Sequence, residues 1–272
     1  MTQPTDLSQT DAPQTDVSQT DVLPVANSPQ TSDDARTTVL RARDLYARSR
    51  GENAFGPIDL DLAAGDICIA CGAEGSGKST LLLALSGRFR RTKGSLEICG
   101  IDAIAYPHQA KEYAAVARLG SYVALEDRLT VGESITERAY LDGIALRTAE
   151  KRVEQIEEHM GYTINRDIEI EELPPLVRLI FAITLVALRP AAVIVADDAD
   201  AGIPPKLRPT MYEMLRRFAE LDGSAIVLSC LDDVGAPDDA VRIYLEGGRI
   251  SDLNDIVTPI GTHAVQEEGD EA

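Results

Sequence analysis

The residues with the clearest chemical potential form one eight-residue stretch, Gly72-Ala73-Glu74-Gly75-Ser76-Gly77-Lys78-Ser79, which fits G-x-x-x-x-G-K-[ST]. Its glycines let backbone N–H groups turn inward around a phosphate, and a following helix adds partial positive charge. The ammonium group of Lys78 would meet the outer phosphates of a nucleotide, and the Ser79 hydroxyl would ligate Mg²⁺. We therefore predict a Walker A loop, with Thr80 as its last binding residue.

Two adjacent carboxylates, Asp197 and Asp198, follow a second apolar segment at residues 192–196. A buried strand that delivers a carboxylate to magnesium is the Walker B arrangement. We predict Ser79 and Asp197 as metal ligands, and Asp198 and Lys78 as catalytic residues, with Asp198 polarising the attacking water. Without the upstream loop, the pair fits a solvated acidic turn equally well, because Asp200 follows.

Strand-like and helix-like segments alternate between these motifs. Short apolar or alternating runs predict strands at residues 38–42, 58–62, 66–71, 95–99, 121–124, 192–196 and 225–229, and a hairpin of 241–245 with 249–250 across Gly247-Gly248. Spacings of three and four predict helices at residues 77–85, 131–141, 148–160, 174–188 and 206–221. This alternation predicts an α/β fold, and the long helical block suggests an inserted helical subdomain.

The charge balance excludes one class of function. The 272 residues carry 45 Asp and Glu against 26 Lys and Arg, a net charge of −19. Such a chain lacks the extensive cationic surface that binds the phosphate backbone of nucleic acid. It does contain a local basic patch, formed by Arg88, Arg90, Arg91 and Lys93. Residues 1–36, with a five-residue Thr-Asp repeat, are predicted to form a disordered acidic tail, and residues 252–272 a second acidic tail.

Hydrophobicity and cysteine usage favour a cytosolic location. The longest apolar stretch, residues 179–188, is far shorter than the roughly 20 residues that span a bilayer, and no signal-peptide pattern opens the chain. Cys68-x-x-Cys71 has the spacing of half a zinc site, but strand residues three apart point to opposite faces. Reduced, buried thiols are the favoured interpretation.

The order of the pieces resembles the ATP-binding cassette (ABC) ATPases. The resemblance covers about residues 38–251 and includes the Walker A loop with its Ser-Thr-Leu-Leu continuation, Gly94-Ser95-Leu96, Leu129-Thr130-Val131 and the strand with its two aspartates. It implies a P-loop NTPase core with a mixed sheet, an antiparallel β subdomain and a helical subdomain at about residues 126–189. The corresponding ATP-binding domain would span residues 37–251.

The sequence departs from the family in four chemically important motifs. Leu125, after the predicted strand 121–124, replaces the glutamine that reaches magnesium and water, with Glu126 as a weak substitute. Pro174 and Pro175 fall in the signature L-S-G-G-Q, where they supply neither a hydroxyl nor an N–H. Pro204 replaces the later aspartate, and Cys230 replaces the switch histidine.

The resemblance implies an ATP-binding, magnesium-dependent P-loop ATPase that hydrolyses ATP as the cytoplasmic subunit of an ABC transporter. Its partners would be a transmembrane permease and a second nucleotide-binding subunit, identical or different, at the inner face of the cell membrane. The degenerate signature keeps an alternative open: a regulatory ABC-like protein that binds ATP with little or no hydrolysis. The transported substrate and the direction of transport are not encoded in these motifs.

Overall fold

The computed structural model describes residues 36–49 and 52–245. Residues 1–35 of the first predicted acidic tail, the whole second tail and the turn and second strand of the predicted hairpin, Gly247-Gly248 and residues 249–250, lie outside the described residues, whereas its first strand at 241–245 lies within them.

An antiparallel sheet begins the described chain. Its strands are β1 (Thr38–Ser49), β2 (Glu52–Ala63), β4 (Thr92–Ile98) and β5 (Ile101–Asp102), in the order β2-β1-β4-β5. Alternate residues such as Leu40, Ala42 and Leu96 are buried, while Arg41 and Arg43 between them are exposed, as expected of a sheet with one solvated face. The predicted antiparallel β subdomain is confirmed.

A parallel sheet forms the centre of the fold. It contains β3 (Ile67–Cys71), β6 (Ala114–Arg118), β7 (Val193–Ala196), β8 (Ala225–Cys230) and β9 (Val241–Tyr244), in the order β6-β7-β8-β3-β9. Every residue of β3, β7 and β8 is buried, which explains their continuous apolar runs. Because neighbouring strands are parallel, the loops after β3, β7 and β8 emerge at one edge.

Helices cover this sheet or form a separate layer. They are α1 (Lys78–Leu85), α2 (Pro107–Ala110), α3 (Val131–Leu141), α4 (Leu146–Met160), α5 (Pro175–Val186) and α6 (Arg208–Asp222). Helix α3 begins with a capping box between Thr130 and Glu133, and α4 ends at Gly161 in the left-handed conformation, as predicted.

Helices α3, α4 and α5 enclose a hydrophobic cluster of their own. Val131, Ile135, Val153 and Phe181 are among its buried members. Buried Glu157 beside this cluster accepts two hydrogen bonds from the Arg166 guanidinium, at 2.6 and 2.7 Å, and one from the Ile164 N–H at 2.9 Å. These bonds compensate the desolvation of the carboxylate. The predicted inserted helical subdomain is therefore confirmed.

One predicted strand is wrong. Residues 121–124 form a turn and loop, and the edge strand β6 lies earlier, at Ala114–Arg118. The sequence of β6 is rich in alanine and lacks the large apolar residues that usually mark a strand. Small residues suffice there because helix α5 packs directly on the strand. The family's glutamine belongs to the loop after this strand, so the assignment of its position to Leu125 rested on a misplaced strand. The loop at residues 119–129 contains no glutamine at any position.

The cysteines behave as the strand geometry predicts. Cys68 and Cys71 contribute to different hydrophobic clusters on opposite faces of β3, and all four cysteines are free thiols. No group of three or more His, Cys, Asp and Glu side chains that could hold a metal occurs among residues 36–49 and 52–245. Burial raises the pKa of Cys68 and Cys230 to about 12 and that of Cys71 to about 11.

Thiol labelling tests this arrangement. We expect N-ethylmaleimide at neutral pH to modify one thiol per native chain, Cys99, because it is the exposed cysteine, and four after denaturation. Mass spectrometry of the intact and digested protein measures both numbers. Rapid labelling of Cys68 or Cys230 in the native state would contradict the packing of β3 and β8.

Candidate functional site

The Walker A residues form a tight turn between β3 and α1. Gly77 caps α1 at φ 95°, a left-handed conformation in which a side chain is strained. A Cβ on Gly77 would lie 1.8 Å from the Ala54 oxygen, and one on Gly72 would lie 2.5 Å from Ser76 Oγ. These two glycines are required by close approach of the backbone to its surroundings, as the motif predicts.

The charge of Lys78 is held inside this turn. Its Nζ donates hydrogen bonds to the carbonyl oxygens of Gly72 and Ala73, at 2.8 and 2.9 Å, and the side chain is almost fully buried. Within the described part of the chain, Lys78 forms no ion pair with a carboxylate. The ammonium group is thus enclosed by the loop that would surround a phosphate, and its charge is not neutralised by an acid.

The Ser76 hydroxyl provides an independent indication that this turn accommodates a polar ligand. Ser76 Oγ is buried and has no hydrogen-bond partner among the described residues. Buried hydroxyls without a partner are rare and cost free energy. A phosphate oxygen inside the turn is the kind of acceptor that such a hydroxyl requires.

Asp197 lies at the end of β7, directly beside the first turn of α1. It is 1% exposed and accepts hydrogen bonds from Ser79 Oγ at 2.6 Å and from Ser229 Oγ at 2.5 Å. The predicted metal ligands Ser79 and Asp197 are therefore in direct contact, although 118 residues separate them in the chain. Ser229, at the end of β8, is a supporting residue that sequence patterns did not single out.

Asp198 occupies a different environment from its neighbour. Its φ is 47°, and its backbone N–H donates to Ser229 Oγ at 2.7 Å, so the chain turns sharply after Asp197. The side chain faces the loop cleft. Partial burial and the adjacent Asp197 charge raise the pKa of Asp198, while Lys78 and Arg118 act in the opposite direction. A carboxylate with a raised pKa is a stronger base than an ordinary aspartate.

A cleft of about 500 Å³ lies between Lys78 of the Walker A turn and the loops after β7 and β8. Its lining residues are Glu74, Lys78, Asp198, Asp200, Ala201, Gly202, Arg208 and Leu231. Arg208, the first residue of α6, was not identified from the sequence, because no local motif marks it. Its approach to the cleft is a consequence of tertiary packing.

The segment that corresponds to the family signature does not line this cleft. Leu173 and Pro175, together with Leu125, line a separate cleft of about 440 Å³ between β6 and the helical subdomain. Pro174 is the N-cap of α5 and Pro175 its first residue, where a proline is tolerated because the N–H would be unpaired.

The other two divergent residues, Pro204 and Cys230, also lie outside the cleft that contains Lys78. Cys230 is fully buried, and its sulfur lies 3.7 Å from the hydroxyl oxygen of Tyr212 on α6. Pro204 is exposed and precedes the short 3₁₀ segment Pro205–Leu207. Neither residue lines the cleft that contains Lys78.

The family comparison agrees with this geometry. The family described as "ABC transporter" matches residues 55–201, which is 147 of the 272 residues, and the chain belongs to this family. Members of the family are P-loop ATPases that bind ATP, so the chain carries an ABC-type ATPase domain.

Curated relatives are longer than this chain. "ATP-binding cassette sub-family A member 7" of Mus musculus is 27% identical over 213 residues, covering 76% of this chain and 10% of that protein. "Nucleoside import ATP-binding protein NupA" of Lactococcus lactis is 25% identical over 225 residues, covering 79% of this chain and 44% of that protein. The chain therefore spans a tenth of the first relative and less than half of the second.

Solved structures share the fold at low sequence identity. One is cbiO1 from Clostridium perfringens, described as part of the ABC transporter complex cbiONQ, with a TM-score of 0.61, 19% identity and coverage of 73% of this chain and 81% of that one. A nucleotide-free ATP-binding cassette from an ABC transporter gives a TM-score of 0.62 at 15% identity, over 78% and 89% of the two chains. In residues 36–49 and 52–245, no helix has the length and apolar character needed to traverse a bilayer.

Substituting alanine at two glycines tests the geometry of the loop. We expect Gly77→Ala to lower the free energy of unfolding by at least about 3 kcal/mol, because left-handed strain adds to the overlap with the Ala54 carbonyl. Gly75→Ala is the matched control: its φ is also positive, at 79°, but no atom lies within 4 Å of the added carbon. It should cost only about 1–2 kcal/mol. Urea unfolding followed by circular dichroism measures both, and equal losses would contradict the described packing.

Proposed function

We propose that this chain is the ATP-binding and ATP-hydrolysing subunit of an ABC-type membrane transporter. The observation that carries the proposal is the contact of Ser79 with Asp197 beside the enclosed ammonium group of Lys78. This arrangement supplies a hydroxyl and a carboxylate for a metal at the side of a phosphate-sized turn. The family membership and the fold support the same function.

Each residue of the loop has a defined task in this proposal. The turn at residues 72–77, together with Thr80 in the first turn of α1, holds the phosphates through backbone and hydroxyl donors; its residues are Gly72, Ala73, Glu74, Gly75, Ser76 and Gly77. Lys78 exchanges its two carbonyl partners for phosphate oxygens. Ser79 and Asp197 hold Mg²⁺, which neutralises phosphate charge when it is bound. Asp198 accepts a proton from the attacking water.

The partners follow from the asymmetry between the two halves of the site. The loop half is complete, whereas Pro174 and Pro175 remove the hydroxyl and N–H donors that a signature would offer to the nucleotide of a partner. We infer that the chain pairs with a second nucleotide-binding subunit whose signature is intact, and that both dock on a transmembrane permease. Such a complex places the chain in the cytoplasm, peripheral to the membrane.

A regulatory function is the second candidate. Cys230 is buried against Tyr212, and the loop after β6 contains no glutamine, so two groups that assist hydrolysis in the family have no counterpart at the expected positions. In this alternative the chain binds ATP as a signal and turns it over slowly or not at all.

Replacing the loop lysine tests nucleotide binding. Lys78→Met should weaken MgATP binding at least about 30-fold, because truncating a buried charged partner of a phosphate costs several kcal/mol. Isothermal titration calorimetry with MgATP measures the dissociation constant. Lys151→Met, at an exposed position on α4, is the control and should bind normally. Unchanged binding by Lys78→Met would remove the basis of the proposal.

Replacing Asp198 distinguishes the two candidates. If it is the base, Asp198→Asn lowers kcat of the assembled complex at least about 100-fold, the usual contribution of general-base catalysis. The base acts when deprotonated, so hydrolysis should increase with pH through a midpoint above the ordinary aspartate value of 3.8. Asp142→Asn, in the helical subdomain, is the control. Unchanged turnover by Asp198→Asn would favour the regulatory alternative.

A further inference from the structure

Arg208 links the two loops that border the cleft. Its Nη1 lies 2.5 Å from Asp232 Oδ1 and its Nη2 lies 3.1 Å from Asp200 Oδ2. The Asp200 carboxylate also accepts from the backbone N–H of Leu231, at 3.2 and 3.3 Å. One guanidinium group therefore connects the loop after β7, the start of α6 and the loop after β8.

A buried positive charge at the start of α6 would be destabilising without Asp200 and Asp232 to pair with it. A cation at the first residue of a helix opposes the helix dipole. The side chains of Arg208 and Asp200 are only 10% and 8% exposed, so both are largely desolvated. A buried pair of this kind contributes little net stability compared with apolar packing. Helix stability therefore does not explain an arginine at the start of α6.

The location of Arg208 suggests what its charge does. It lines the same cleft as Lys78 and Asp198. In a Walker A loop the lysine faces the outer phosphates, so this is the end of the cleft where a third phosphate would lie. Three of the residues that line the cleft are acidic, namely Glu74, Asp198 and Asp200. Two lining residues, Lys78 and Arg208, are positively charged.

We propose that Arg208 is a specificity-determining residue that makes this end of the cleft compatible with a third phosphate. Its positive charge offsets Asp200 and Asp232, which would otherwise repel the added negative charge of ATP relative to ADP. The inference rests on the proposed function, because it concerns which nucleotide the same site prefers. It does not require that the chain hydrolyse ATP.

The first experiment compares the dissociation constants of MgATP and MgADP by calorimetry in the full chain. In Arg208→Met, affinity for MgATP should fall at least about tenfold while affinity for MgADP changes less than about threefold, because a nearby uncompensated charge acts mainly on the third phosphate. Arg208→Lys, which keeps the charge, should retain most of the ATP preference. Equal losses for both nucleotides in Arg208→Met would indicate a purely structural role and overturn the inference.

Arg216→Met is the matched control. Arg216 lies on the same helix and forms an ion pair with Asp239 through two hydrogen bonds, at 2.8 and 2.5 Å, but does not line the cleft. The ratio of MgATP to MgADP affinity should equal that of the wild type. Thermal unfolding of both variants separates loss of fold from loss of specificity.

A second variant tests the sign of the effect and does not depend on a buried substitution. The Asp232 side chain is 44% exposed, so Asp232→Asn should fold normally. It removes one of the two acids that pair with Arg208 and should increase the preference for MgATP over MgADP by about threefold or more. Asp239→Asn, the corresponding change at the Arg216 pair, should leave the preference unchanged.

The outcomes separate this inference from the proposed function. If the wild-type chain binds no MgATP, both the proposed function and this inference are wrong. A wild-type chain that binds MgATP, combined with an Asp232→Asn variant whose ATP preference is unchanged or reduced, overturns the charge argument and leaves the proposed function intact. Opposite shifts in Arg208→Met and Asp232→Asn support the inference, because loss of a structural contact would not improve selectivity in either variant.

Discussion

The candidate site depends on the burial of one carboxylate. Asp197 is 1% exposed, and an ionised group in that position is tolerated only when hydrogen bonds replace the lost water. Two hydroxyls supply them, Ser79 from α1 and Ser229 from β8. The Asp197 N–H also donates to the carbonyl oxygen of Arg118, at 3.0 Å, which joins the edge strand to the same point. Through these three hydrogen bonds, Asp197 at the end of β7 connects helix α1 with strands β6 and β8.

The same constraint separates the tasks of two neighbouring aspartates. Asp197 is fixed by its two hydroxyl donors and suits a metal. Asp198 follows a left-handed backbone turn, faces the cleft and has a raised pKa, which suits a base. A single change of backbone direction thus gives identical side chains different environments, and Ser229 bonds to both residues.

The two halves of the family's catalytic apparatus have diverged to different extents in this chain. The loop residues and the aspartates after β7 carry the donors and acceptors that the proposed phosphate and magnesium binding would require. Pro174, Pro175, Pro204 and Cys230 instead have structural contacts: Pro174 and Pro175 begin α5, Pro204 precedes a 3₁₀ turn and Cys230 packs against Tyr212. In the proposed assembly, this chain contributes an intact nucleotide pocket and depends on a partner for the opposite face.

Local sequence determined the elements whose signals are strong and short in range. The Walker A pattern, the apolar runs of β3, β7 and β8, and the helical spacing around α3, α4 and α6 were sufficient to predict the fold class and to locate the strand–turn–helix that is proposed to hold phosphate. Strand β6 was missed, since its alanine-rich sequence depends on α5 for its cover. Tertiary structure alone decided the contacts of Ser229 with Asp197 and of Arg208 with Asp200 and Asp232. These residues lie on separate elements, and their side chains meet only because parallel strands bring the loops after β7 and β8 to one edge of the sheet.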